Sequence, residues 1–139
     1  MGSNTGNLCV PFYEPSSRIT GRAFGGGVLG KRFVKVAAPK DPGSRELDPG
    51  ATGGNVLIEP CVAFDRVLGV AEHDADEGKT TAVLCGGFTV PVVAETAITA
   101  GMAIGPGTDG KATDAGAGIV CGIALADAAP GQDAIVKLI

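Results

Sequence analysis

The chain has 139 residues, a formal net charge of −4, 45% hydrophobic residues and only 4% aromatic residues, with no tryptophan. This length suits one compact domain, whose core must be built mainly from Val, Ile, Leu and Ala. No apolar run is long enough to cross a bilayer, and the scattered basic residues have no interleaved aromatic residues that could stack on bases. We therefore expect neither a membrane nor a nucleic-acid partner. Because the first residues carry no secretory signal pattern, we also expect synthesis in a cytoplasm-like compartment.

Glycine and proline punctuate the whole chain, with 23 Gly and 9 Pro between short apolar runs. Such punctuation is typical of many short strands joined by turns. No stretch shows the 3.6-residue period of a long helix. The sequence therefore predicts an all-β protein.

Residues 1–29 differ from the rest, because prolines and a triple glycine interrupt large apolar side chains without any periodicity. We predict that they form an extended N-terminal arm that lies on a partner. Alternating apolar residues at its start would share one side of an added strand, and two arginines follow them. The candidate binding residues are Leu8, Val10, Phe12, Tyr13, Arg18 and Arg22.

Residues 30–139 are predicted to form a β-rich domain with a Pro-, Gly- and charge-rich surface loop at 38–54. Two stretches within it, 67–85 and 120–138, repeat one frame at an offset of 53 residues: V-x-G-[VI]-A-x-x-D-A-x-x-G-x-x-x-x-V. Each copy reads as a β-hairpin, with an aspartate (Asp74, Asp127) that bonds its own turn and a glycine (Gly78, Gly131) with positive φ. Pro91 places the strand between the two copies at an edge or a bulge.

The first hairpin tip carries His73, Asp74, Asp76 and Glu77, which could indicate a metal site, an acid/base site or a charged turn. Three of these four residues face Ala126, Ala129 and Pro130 in the second copy, so the frame does not need them. Calcium binding would require a fuller ligand set and a different glycine spacing. We therefore predict a solvated turn without a metal.

The sequence carries no pattern typical of an enzyme. The four cysteines lack metal-ligand spacing, and three of them, Cys61, Cys85 and Cys121, sit in apolar surroundings typical of small buried side chains. A phosphate loop at residues 25–32 fails because Arg32 stands where Ser or Thr is required. The sequence predicts no catalytic residue, no metal and no cofactor.

The C-terminal stretch ITAGMAIGPGTDGKATDAGAGIVCGIALADAAPGQDAIVKLI (98–139) resembles the small head-decoration, or cement, proteins of tailed bacteriophages, and the hairpin at 67–85 fits the same pattern. The resemblance covers roughly residues 28–139. It implies a β-tulip or β-clip body that binds the outer surface of an icosahedral head as a homotrimer and stabilises the lattice of the major capsid protein. It also implies a place in the virion, made in the host cytoplasm, with the N-terminal arm reaching the capsid.

Two other function classes stay open. One is a head-fibre-like or cell-surface-binding virion module, which would normally show exposed Trp or Tyr. The other is a β-clip enzyme such as a trimeric nucleotide hydrolase, which would need clustered catalytic residues and a glycine-rich tail.

Overall fold

A computed structural model describes residues 7–11, 18–37 and 56–139 of the chain. In these ranges the chain forms ten strands and a 3₁₀ turn at Thr108–Gly110. No helix in the described residues is long and apolar enough to cross a membrane. The all-β prediction is confirmed. The strands are β1 Arg18–Ala23, β2 Phe33–Val36, β3 Val56–Pro60, β4 Gly69–Ala71, β5 Thr80–Leu84, β6 Thr89–Val93, β7 Ala103–Pro106, β8 Ala112–Asp114, β9 Gly122–Ala124 and β10 Asp133–Leu138.

The first unit, β1–β5, is a closed barrel in the order β1-β3-β2-β4-β5. The β1–β3 pair is parallel and the other pairs are antiparallel, with β5 returning to β1. Closure pairs the strands that would otherwise be exposed sheet edges. Alternate side chains fill the interior, which contains Ala23, Val28, Val34, Ile58, Ala71, Ala75 and Val83.

The second unit, β6–β10, repeats this pairing scheme in the order β6-β10-β9-β7-β8. Here the parallel contact that closes the first barrel is reduced to a single bridge between Ala94 and Ala112. The positions that fill the first barrel have equivalents in the second unit, and all of them are buried: Ala94, Ile98, Ile104, Ala112, Ala124, Ala128 and Val136.

The predicted hairpin repeat is confirmed, and it extends to the whole five-stranded unit. Phe33 pairs with Val70 on β4, as Ala103 pairs with Ile123 on β9. The hairpins are offset by 53 residues (Val70 to Ile123), whereas β2 and β7 are offset by 70 (Phe33 to Ala103). The difference reflects the longer connection between β2 and β3, which contains the predicted loop at 38–54; that loop lies outside the described residues.

The glycine shared by the two hairpins allows close strand packing. A Cβ at Gly122 would lie 2.5 Å from Cγ1 of Val136 and 2.8 Å from the carbonyl oxygen of Lys137. At Gly69 it would overlap the carbonyl oxygen of Leu84. Because backbone cannot move aside as a flexible side chain can, each hairpin needs glycine at this position.

The first unit packs on the second through the outer face of its sheet. Phe33, Val70 and Leu84 lie opposite one another across β2, β4 and β5, and all three are fully buried. They belong to the same core cluster as the interior of the second unit. The two units therefore share one core, although the first unit has an interior of its own.

The predicted arm over residues 1–29 is wrong for residues 18–29. Residues 18–23 form β1, which pairs with strands on both sides, and Val28 bridges to Ala75. Gly21 within β1 is a packing position: a Cβ there would lie 2.7 Å from Cδ1 of Ile58, so glycine makes room for the barrel interior.

The strand containing Pro91 lies at the end of its sheet order, as predicted. The β-tulip or β-clip form stays a prediction, since the observed architecture is a closed five-stranded barrel joined to a five-stranded sheet.

Candidate functional site

The N-terminal segment, residues 7–11, lies against the body and is held by Cys9. The Cys9 amide donates to the carbonyl oxygen of Glu72 at 2.5 Å, and its thiol donates to the carbonyl oxygen of Pro91 at 3.4 Å. Cys9 is fully buried within the shared core. The segment therefore touches both units through a single inward-pointing residue.

Close backbone packing at Gly30 positions this segment. A Cβ at Gly30 would overlap the carbonyl oxygen of Asn7 and would lie 2.8 Å from the Cα of His73. The Asn7 side-chain amide also lies 3.4 Å from a carboxylate oxygen of Asp74. Backbone therefore packs directly on backbone at this point, which only glycine permits.

Leu8 and Val10 flank the buried cysteine and are exposed, by 38% and 59% respectively. Successive side chains of an extended segment point to opposite sides, so both point away from the core. Arg18 lies close to the same place, because its guanidinium pairs at 3.0 Å with the carboxylate of Glu72, whose carbonyl holds Cys9. We call Leu8, Val10 and Arg18 the N-terminal patch.

Of the other predicted binding residues, Arg22 is described and does not join this patch. Arg22 lies at the far end of β1, about 13 Å along the strand from Arg18, and donates to the carbonyl oxygen of Gly78 at the hairpin tip. Phe12 and Tyr13 lie outside the described residues.

Two residues of the site, Cys9 and Glu72, were missed by sequence reasoning. Cys9 could have been found, since the alternation that places Leu8 and Val10 on one side puts Cys9 on the other. Glu72 had no such signal, because its role arises from a contact with a segment more than sixty residues away in the chain.

The hairpin tip at residues 73–77 is a partly exposed turn. Asp76 and Glu77 are exposed, and His73 is half-buried, with its ring nitrogen Nδ1 2.9 Å from the carbonyl oxygen of Asp74. In the described ranges no three His, Cys, Asp or Glu side chains group closely enough to hold a metal ion.

The repeated aspartates act differently from the prediction. Asp74 accepts a hydrogen bond from the Gly30 amide at 2.9 Å, and Asp127 accepts one from the Ala100 amide at 2.8 Å. Each therefore ties the hairpin tip to the connection that precedes β2 or β7, rather than bonding its own turn. The positive φ of Gly78 and Gly131 is as predicted, at 83° and 84°.

Replacing Asp74 with alanine is expected to lower the free energy of unfolding by about 1–2 kcal/mol, because the amide of the buried Gly30 loses a charged acceptor. Urea unfolding followed by circular dichroism measures the change. The control is Asp76→Ala, two residues away and exposed, for which a change within about 0.5 kcal/mol is expected. Equal effects of the two substitutions would show that the Gly30 hydrogen bond is unimportant.

The surroundings of the four cysteine thiols disfavour the thiolate form. Burial raises the pKa of Cys9, Cys61 and Cys121 to about 12, and it raises the pKa of Cys85 as well. A thiol is a nucleophile only as the thiolate, which these groups do not form near neutral pH. Cys61 is buried as predicted, whereas Cys85 and Cys121 are half-buried.

Comparison with known proteins assigns the family. The family model described as phage cement protein matches residues 45–138, which is more than half of the chain. The chain belongs to the phage cement protein family. This assignment confirms the resemblance seen in the sequence and makes this cement protein a structural component of a phage head.

One solved structure supports the fold. This cement protein is similar to the N base of the head fiber protein gp8.5 of bacteriophage phi29, with a TM-score of 0.65 and 24% sequence identity. The match covers 88% of this chain and 93% of that one. No curated protein matches the sequence.

Proposed function

We propose that this cement protein decorates the outer surface of an icosahedral phage head as a homotrimer, binds the major capsid protein through the N-terminal patch, and stabilises the capsid lattice. One observation carries the choice of surface. Leu8 and Val10 are exposed apolar side chains on a segment whose middle residue, Cys9, is buried in the core.

This arrangement favours binding because the segment is already ordered where it meets the body. A preorganised segment loses less conformational entropy on binding than a free tail does. Leu8 and Val10 offer apolar area, and the Arg18–Glu72 ion pair lies beside them.

Replacing Leu8 and Val10 together with serine tests this surface. Binding to expanded heads is expected to weaken at least about tenfold, near 1.4 kcal/mol, while thermal unfolding stays within a few degrees because both side chains are exposed. Co-sedimentation of the purified protein with heads that lack it measures binding. Point substitutions are preferable to a deletion, since removing residues 2–17 would also remove Cys9 from the core.

The matched control is Val62→Ser, an exposed valine in the turn after β3. It is expected to bind heads as the unaltered protein does. If the double variant decorates heads as well as the control does, the N-terminal patch is not the capsid-binding surface.

The fold similarity to a head fiber base favours a second candidate, a capsid-bound base that carries a further virion component. Electron microscopy of decorated heads separates the two functions. A lattice-stabilising protein raises the resistance of heads to heat or chelator treatment, whereas a base shows additional density projecting outward. We propose no catalytic role in either case.

A further inference from the structure

The internal repeat places two equivalent sheet faces in different surroundings. In the first unit, Phe33, Val70 and Leu84 form a row across three strands, and the second unit covers it. In the second unit, the equivalent row is Ala103, Ile123 and Lys137, paired in the same register. Within the described structure, nothing covers this second row: Ile123 is 36% exposed and Lys137 is exposed.

The uncovered row belongs to a larger apolar area on the outer side of β9 and its flanking residues. Val120 and Leu125 are exposed beside Ile123, by 40% and 50%. Leu125 donates its amide to the carbonyl of the half-buried Ile135 on the neighbouring strand. We call Val120, Ile123 and Leu125, with Lys137, the second outer face.

The charge of this face differs from that of its unit. Residues 86–139 carry five acidic and two basic side chains, a balance of −3. Of the outward-pointing residues on β9 and β10, only Lys137 and Asp133 carry a charge, and Asp133 is paired with Lys31 at 2.8 Å. Two copies of the chain would therefore meet here without the repulsion that their other acidic surfaces would produce.

The equivalent face of the first unit indicates which kind of partner packs on the second outer face. Its own row is covered by another five-stranded unit of the same fold, and Val67, which is equivalent to Val120, also packs against that shared core. We propose that the second outer face binds a second copy of this chain. This inference rests on the proposed trimer and names the surface that builds it.

The contact is head-to-tail, because it joins the second outer face of one copy to a different surface of the next. Heterologous contacts of this kind close into rings when the rotation between copies fits. A ring of three copies meets the proposed stoichiometry. Ala103 and Lys137, in place of Phe33 and Leu84, make the face flatter and more polar than its equivalent, which keeps a separated copy soluble.

The substitution Leu125→Glu tests the inference with little risk to the fold, because the first unit carries glutamate, Glu72, at the equivalent position. Light scattering after size-exclusion chromatography is expected to show trimers for the unaltered protein and monomers for Leu125→Glu, with a dissociation constant at least about tenfold higher. A second variant, Ile123→Lys, should give the same loss of trimers by placing a second lysine beside Lys137. Circular dichroism and thermal unfolding confirm that both variants are folded.

The control is Val36→Glu on β2 of the first unit, whose exposure of 53% matches that of Leu125. It is expected to remain trimeric. Trimers of Leu125→Glu and Ile123→Lys at the concentration at which the unaltered protein is trimeric would overturn the proposal. Monomers of Val36→Glu would also contradict the assignment to this face.

Head binding is measured separately so that the two proposals can fail independently. Unaltered protein that binds heads but is monomeric both in solution and on heads would refute the self-association and leave capsid binding in place. Protein that forms trimers through this face but does not co-sediment with heads would refute the decoration function and leave the surface assignment standing.

Discussion

Replacing Phe33 with alanine is expected to lower the free energy of unfolding by about 3–5 kcal/mol, because it opens a cavity where the first unit packs on the second. Phe33 is fully buried and belongs to the core that the two units share. Its backbone is also fixed, since its carbonyl oxygen accepts from the Cys61 amide and a Cβ at Gly110 would overlap that oxygen. The surrounding backbone therefore cannot collapse easily into the space. Urea unfolding monitored by circular dichroism measures the loss.

Phe64→Ala is the matched control, since the Phe64 ring is 71% exposed. A change within about 0.5 kcal/mol is expected for this surface substitution. If Phe33→Ala and Phe64→Ala had similar effects, the two units would not depend on a common core. A biphasic unfolding curve for Phe33→Ala would further indicate that the first barrel retains its own stability once the shared core is weakened.

Replacing Gly30 with alanine is expected to displace the N-terminal segment from the body and to destabilise the protein by about 1–3 kcal/mol. The added methyl group would overlap the carbonyl oxygen of Asn7, so the segment and the β2 connection cannot keep their positions together. Displacement exposes Cys9. Mass spectrometry after brief treatment with a thiol-alkylating reagent should show Cys9 labelled in the variant and protected in the unaltered protein.

Gly26→Ala serves as the control, because a Cβ at Gly26 would have no neighbour within 4 Å. It should leave both stability and the protection of Cys9 unchanged. Equal protection of Cys9 in Gly30→Ala and in the unaltered protein would mean that the segment is not held by close packing on Gly30. The same variant should bind heads more weakly, if the N-terminal patch needs its anchored geometry.

The amino-acid sequence by itself determined the all-β class, the hairpin repeat and the solvated tip at Asp76 and Glu77. These features are local. Each depends on residues that lie within about twenty positions of one another: the alternation of apolar residues, the β-branched strands and the Asp-x-x-x-Gly turn. Such patterns can be recognised directly in the sequence. The offset of 53 residues also identified which tip residues the frame does not need, and the family resemblance followed from the same stretches.

Only the tertiary structure decided which glycines are flexible punctuation and which are packing positions. Gly21, Gly30 and Gly69 each make room for a side chain or backbone from another segment, which no local pattern signals. Residues 18–29 were predicted to be an arm because their sequence shows no periodicity. In the structure, β1 completes a barrel with strands that follow much later in the chain. Long-range pairing of this kind leaves no periodic signal near β1 itself.

The candidate site likewise combines a feature that the sequence predicts with contacts that only the tertiary structure shows. Alternation along the chain predicted that Leu8 and Val10 share a side, but it could not show that the opposite side is fixed by Cys9 against Glu72 and Pro91. It likewise could not separate Val70 from Ile123, two equivalent apolar residues in the same frame, of which one is buried between units and the other is exposed. Sequence pattern determines which faces are apolar, whereas the order in which the units pack determines which of those faces remain available for a partner.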